Sequence, residues 1–229
     1  NNKKKFLVIF RGINTDYFDC STTIESDEDK LLKKWNLNAG KKIILLPGRI
    51  TSWKGQEVFI EALNKVNIEL GHETFYAIVL GDNQGRDIYK KKLLRLAEQY
   101  RLNNQVRFID HCKNMPLAYK ISDLIVSASV EPEAFGRVAI EAQSMEKPIL
   151  ASNIGGSNET IIKDKTGFLF ESGDSEALSK KIIEILSLDE STLKFIGIEG
   201  RKNVIKKFNI EKMCFSTYSE YKKLLNANN

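Results

Sequence analysis

Cysteine and histidine are scarce. Cys20, Cys112 and Cys214 stand far apart and form no Cys-x-x-Cys pair. That excludes a disulfide framework and fits free thiols in a reducing compartment. His72 and His111 are the only histidines, too few to complete a zinc site with those cysteines. No apolar run approaches the roughly 18–20 residues of a membrane span. The chain opens NNKKKFLVIF, with an apolar stretch too short for a signal peptide. These absences predict a cytoplasmic protein, at most peripheral to the inner face of the membrane. Basic clusters exist at Lys3–Lys5 and Lys90–Lys92, but none is interleaved with aromatics, so nucleic acid is not an expected partner.

What is present is ordinary for a soluble globular domain. Hydrophobic residues make up 42% and charged residues 28% of 229 positions, with a net charge of +5. A chain of this length buries about 70% of its unfolded surface and needs no metal or disulfide staple. The charge fits a solvated surface or a preference for anions. The missing initiator Met suggests a piece of something longer.

Short apolar runs alternate with helical periodicity. Strands are expected at 6–10, 42–47, 75–80, 105–109, 124–127, 148–151 and 167–170. Most are β-branched or leucine-rich without alternation, as in strands buried on both faces. Helices are expected at 56–70, 86–101, 115–121, 136–146 and 157–162. Val58, Phe59, Ala62, Leu63 and Val66 recur at helical spacing in the first of these. Such alternation predicts an α/β fold, a Rossmann-like doubly wound parallel sheet. Beyond residue 173 the strands stop, and a helical tail is expected over 174–229, with Asp174 and Ser191 as N-caps. Residues 11–24 read as a linker-like loop.

Ligands of such sheets bind in the strand-to-helix loops. After the strand ending at 47, Pro-Gly-Arg-Ile-Thr-Ser-Trp-Lys-Gly places Arg49 and Lys54 at a helix start, where anions are favoured. It is not a Walker loop, and Gly81-Asp82-Asn83-Gln84-Gly85 is no dinucleotide fingerprint. After 127, Glu133 lies in the loop and Glu141 on the next helix, with seven residues between them. Carboxylates accept hydrogen bonds from vicinal hydroxyls, so they suit sugars and riboses, and Gly136 allows close backbone approach. Gly155-Gly156 offers either a backbone nest for an anion or sugar, or a plain helix start capped by Ser157. Asp27-Glu28-Asp29 contains Asp-x-Asp but follows Ser26 at a helix start, which favours dipole complementarity over metal binding. Trp35 and Trp53 read as packing residues.

In this order, RGINTDYF, GRITSWKG, VRFID, SDLIVSAS, EPEAFGRVAIEA, KPILASNIGG and TGFLF resemble the retaining GT-B-fold glycosyltransferases that use sugar nucleotides. The resemblance runs from about Arg11 to Tyr221 and implies the C-terminal, donor-binding half of that fold. It implies that Arg49 and Lys54 hold the donor diphosphate and stabilise the leaving nucleoside diphosphate. By the same resemblance Glu133 contacts the donor sugar and Glu141 the ribose hydroxyls. Gly48, Gly81, Phe135, Gly136, Arg137 and Val138 approach the phosphate and sugar, and His111 and Cys112 border the base. Arg49, Lys54 and Glu133 would be the catalytic set, with no metal and no cofactor beyond the nucleotide sugar.

Five positions depart from the family pattern: Ala134, Arg137, Asp110 and the Asp82-Asn83 pair. The family's N-terminal acceptor domain is not in this sequence, so the expected partners are a sugar-nucleotide donor and that missing domain. The implied activity is transfer of a hexose to a saccharide or lipid-linked acceptor in cell-surface polysaccharide or lipopolysaccharide synthesis, weak or absent in this chain alone. A non-catalytic binding module, or another GT-B enzyme such as a sugar-nucleotide epimerase, is the alternative.

Overall fold

The computed structural model describes residues 6–38, 40–71 and 74–226. The expectations that touch His72 and Lys3–Lys5 lie outside the described residues. Among the described residues six strands form one parallel sheet: β1 (Lys42–Pro47), β2 (Phe75–Leu80), β3 (Val106–Ile109), β4 (Leu124–Ser127), β5 (Ile149–Ser152) and β6 (Phe168–Phe170). Their order is β3-β2-β1-β4-β5-β6, so the winding reverses between β1 and β4. At such a switch point the carboxyl-end loops diverge and leave a crevice.

The helices are α1 (Glu25–Lys34), α2 (Gln56–Leu70), α3 (Asp87–Gln99), α4 (Met115–Lys120), α5 (Arg137–Ser144), α6 (Ser157–Thr160), α7 (Ser175–Ser187), α8 (Glu190–Lys207) and α9 (Ile210–Asn226). Successive side chains on a strand point to opposite faces. Ile44, Leu46, Ala77 and Val79 therefore join one core, closed by α2, α3 and α7. Ile43, Leu45, Ile78 and Ile125 join the other, closed by α1, α4, α5 and Val204 of α8. This double burial explains why the strands read as unbroken apolar runs. Each fully buried Ile or Leu stabilises the fold by about 1.5–3 kcal/mol relative to exposure.

Three expectations change. The apolar stretch 6–10 is not a strand, and Phe6 is 89% exposed. It finds no sheet edge and instead lies against α9, lining a groove with Met213 and Phe215. Ser191 does not cap α8. Asp189 does, accepting from Thr192 N at 2.9 Å, because its carboxylate is placed one residue before the helix. Ser157 is likewise inside α6, after Gly156. Asp174 caps α7 through hydrogen bonds from Glu176 and Ala177 N.

The C-terminal helices do not share one role. Leu178, Ile182 and Ile185 sink α7 into the core. The contact of α8 with α5 is close, since a Cβ on Gly197 would lie 2.2 Å from the Glu146 carbonyl oxygen. Asn203 of α8 donates to Gln143 Oε1 and to the Thr160 carbonyl, both at 3.1 Å. Only α9 has no buried residue.

Candidate functional site

The loop after β1 runs through a 3-10 turn at Ser52–Lys54 into α2. Its exit residue, Gly55, has φ +72°, and a Cβ there would lie 1.8 Å from the Ala128 carbonyl oxygen. Glycine is required on both counts, and the close approach joins the first loop to the end of β4. The loop's other end is held by Gly48 N donating to the Leu80 carbonyl at 2.8 Å. Gln56, fully buried, donates its amide to the Arg49 carbonyl at 2.8 Å. Arg49 and Lys54 are thus carried on a fixed backbone.

Facing them is the loop after β4. Lys54 Nζ donates to Glu133 Oε1 at 2.7 Å, and the two side chains are only 13% and 14% exposed. Ser129 Oγ donates to the same oxygen. Glu133 Oε2 accepts no hydrogen bond among the described residues. The backbone beneath is fixed by Gly156 N donating to the Glu133 carbonyl at 2.8 Å. Gly155 and Gly156 pack so tightly on residues 132–135 that any Cβ would collide. They buttress the Glu133 loop from behind and do not line the cleft, so the nest reading is replaced by a structural one.

Gly136, at φ +76°, turns the chain into α5. One turn in, Glu141 is buried, and both its oxygens are occupied. Tyr119 OH donates to Oε2 at 2.8 Å and Arg137 donates to Oε1 at 2.8 Å. Burial pushes the Glu141 carboxyl above its ordinary value, opposed by the Tyr119 hydrogen bond and by the Arg137 charge. The fully buried Tyr119 phenol is raised as well, by burial first and then by the Glu141 charge. Burial also raises the half-buried Cys112 thiol.

All the positions expected at the donor site line one cleft of about 670 Å³: Gly48, Arg49, Lys54, Gly81, His111, Cys112, Glu133, Phe135, Gly136, Arg137, Val138 and Glu141. Asp27 and Asp29 are not there. They lie in α1, where Asp27 pairs with Lys30 at 2.8 Å.

The family profile of glycosyl transferases group 1 matches residues 27–203, well over half of the chain. The chain belongs to this family. A glycosyltransferase from Rickettsia africae is 38% identical and superposes with a TM-score of 0.93, over 98% of this chain and 58% of that one. HepE from Anabaena, whose crystal structure holds UDP and glucose, is 26% identical with a TM-score of 0.86, over 95% of this chain and 57% of that one. The capsular polysaccharide biosynthesis glycosyltransferase CapM of Staphylococcus aureus is 29% identical over 80% of this chain and 46% of its own length. The chain thus spans about half the length of the relatives it matches. These neighbours are GT-B glycosyltransferases, and the single parallel sheet with flanking and C-terminal helices superposes on them.

The cleft also holds residues that sequence reasoning passed over. Trp53 is half-buried at its edge and is not a core residue like Trp35. Lys54 Nζ lies 4.5 Å from its ring centroid and the Arg49 guanidinium 6.0 Å, so one indole steadies both cations. Its place between two cations in a loop was the available signal. Tyr119 and Arg11 also line the cleft. Tyr119 read as part of an amphipathic helix, and nothing local ties it to Glu141. No helix of the described residues is long and apolar enough to cross a membrane.

Proposed function

We propose that this chain is the donor-binding unit of a retaining glycosyltransferase. The reaction is transfer of a hexose from a nucleoside-diphosphate sugar to a saccharide or lipid-linked acceptor, in the synthesis of a cell-surface polysaccharide or lipopolysaccharide. One observation carries the reading. Two cations on the β1–α2 loop face two carboxylates of the β4–α5 segment across a single cleft at the sheet's switch point. The UDP and glucose bound by HepE and the capsular role in the name of CapM support the donor and product classes.

The chemistry follows from the placement. Arg49 and Lys54 at the start of α2 neutralise the donor diphosphate and the charge that grows on it as the anomeric bond breaks. Glu133 has one oxygen already held by Lys54 and Ser129 and the other open to a sugar hydroxyl. Glu141 must exchange Arg137 for the ribose hydroxyls while Tyr119 keeps its second oxygen in place. Trp53 holds the cations at the cleft edge. Because the cations supply the electrostatic work, the reading calls for no metal.

The relatives are about twice as long, which supports placing acceptor recognition on a second unit. On this reading the 229-residue chain binds donor but turns over poorly. Calorimetry with UDP, GDP and their sugars tests the first part, and binding of none of them would sink it. Efficient glycosyl transfer by the isolated chain would sink the second.

A further inference from the structure

Four cationic side chains line the cleft: Arg11, Arg49, Lys54 and Arg137. Two are paired, Lys54 with Glu133 and Arg137 with Glu141. Among the described residues the Arg49 side chain meets only the Trp53 ring. Arg11 has no hydrogen bond and no ion pair among the described residues. The other two acids of the cleft do not serve it either. Asp110 pairs with Lys90, and Asp82 accepts from Gln84 N.

An unpaired arginine on a free chain end would mean little, but Arg11 is anchored. Ile13 N donates to the Phe208 carbonyl at 2.9 Å, and Ile210 N to the Ile13 carbonyl at 3.0 Å. Between these bonds and Arg11 lies Gly12, where a Cβ would sit 2.2 Å from the Asn209 carbonyl oxygen. Only glycine passes this point, so the α8–α9 corner sets where Arg11 leaves the backbone. Arg11 also lines a second cavity of about 710 Å³, floored by Ile13, Phe18 and Met213. The two cavities share Arg11, Met115, Arg137 and Glu141.

We infer that Arg11 is a further anion-binding residue of this site, taking an oxyanion at the seam of the two cavities. The oxyanion is either a phosphate of the donor or an anionic group of a second substrate in the adjoining cavity. A planar guanidinium with free donors matches phosphate geometry, and two uncompensated cations in one cleft draw anionic ligands. The first source rests on the donor-site reading; the second does not.

The test compares Arg11→Gln and Arg11→Lys with the unsubstituted chain by calorimetry. The probes are UDP, uridine, inorganic pyrophosphate, and inorganic phosphate added to UDP-saturated protein. If the donor is the source, Arg11→Gln weakens UDP and pyrophosphate about tenfold or more while uridine is unchanged, and Arg11→Lys recovers part of the loss. If a second substrate is the source, UDP is unchanged and phosphate binding to the loaded protein is lost. Should UDP fail to bind the unsubstituted chain while pyrophosphate binds in an Arg11-dependent way, the donor reading falls and this inference stands. An Arg11→Gln protein with unchanged melting temperature that matches the parent on every probe overturns it, as does a parent chain that binds none of the probes.

Discussion

Glu133 and Glu141 belong to one motif, yet the fold holds them differently. Glu133 sits in a loop, tied through one oxygen to a lysine from another strand's loop, with its other oxygen open. Glu141 sits in a helix, buried, with both oxygens filled. Its partners also differ from each other. Tyr119 is fully buried and has no second place to go, whereas the Arg137 side chain is 66% exposed. Exposed pairs within one helix contribute little, so Arg137 is the partner a ligand can displace. On the proposed reading, the loop glutamate is poised for an incoming group, and the helix glutamate is a fixed anchor with one removable cap.

The sharpest way to break this comparison is Glu141→Ala. It strands the Tyr119 hydroxyl in the core, and denaturant unfolding should show a loss of about 1–3 kcal/mol, together with weaker UDP binding. Glu133→Ala should cost clearly less stability, because Lys54 can turn to solvent at the cleft. Equal losses would erase the distinction. Comparable in size, Lys54→Ala and Arg49→Ala should each weaken UDP by about 1.5–3 kcal/mol in calorimetry and leave uridine unaffected. A smaller effect separates the two acids by ligand. Glu133→Ala should bind UDP like the parent but lose about 0.5–1.5 kcal/mol of affinity for the cognate UDP-sugar.

The smallest effect is in pH dependence. The Glu141 carboxyl is raised in the folded state above its ordinary 4.5. The stability linked to this group is therefore complete below 4.5 and is lost as pH rises through the higher folded value. Glu141→Gln keeps an acceptor for Tyr119 and removes the titration. Melting temperatures followed upward from acidic pH should then show the variant gaining on the parent across that window. Parallel curves would remove burial as the feature that sets Glu141 apart.

Much of this was legible beforehand where local pattern carries it. The β1 run is apolar because both faces of the sheet are covered, and α2 shows its buried stripe as helical spacing. The cleft loops announced themselves by residue type. Where contacts are made by small or polar residues, periodicity is silent. The packing of α8 on α5 uses Gly197, Gly200 and Asn203, so it read as a tail. The stretch 6–10 shows the reverse failure: its composition suits a strand, but strand formation needs an edge to pair with.

The order of residues along the chain by itself determined the types of the six sheet strands and their following helices, the parallel α/β class and the chemistry offered by each strand-to-helix loop. These are properties of a few consecutive residues, and covalent order carries them. The tertiary structure alone decided which charges meet. Lys54 reaches Glu133 across 79 positions, and Tyr119 reaches Glu141 across 22. Arg11 enters the cleft because the α8–α9 corner, some 200 residues later, leaves room for a glycine and nothing larger. Such meetings depend on the strand order and on which helix lands on which face, and these are set only when the whole core closes.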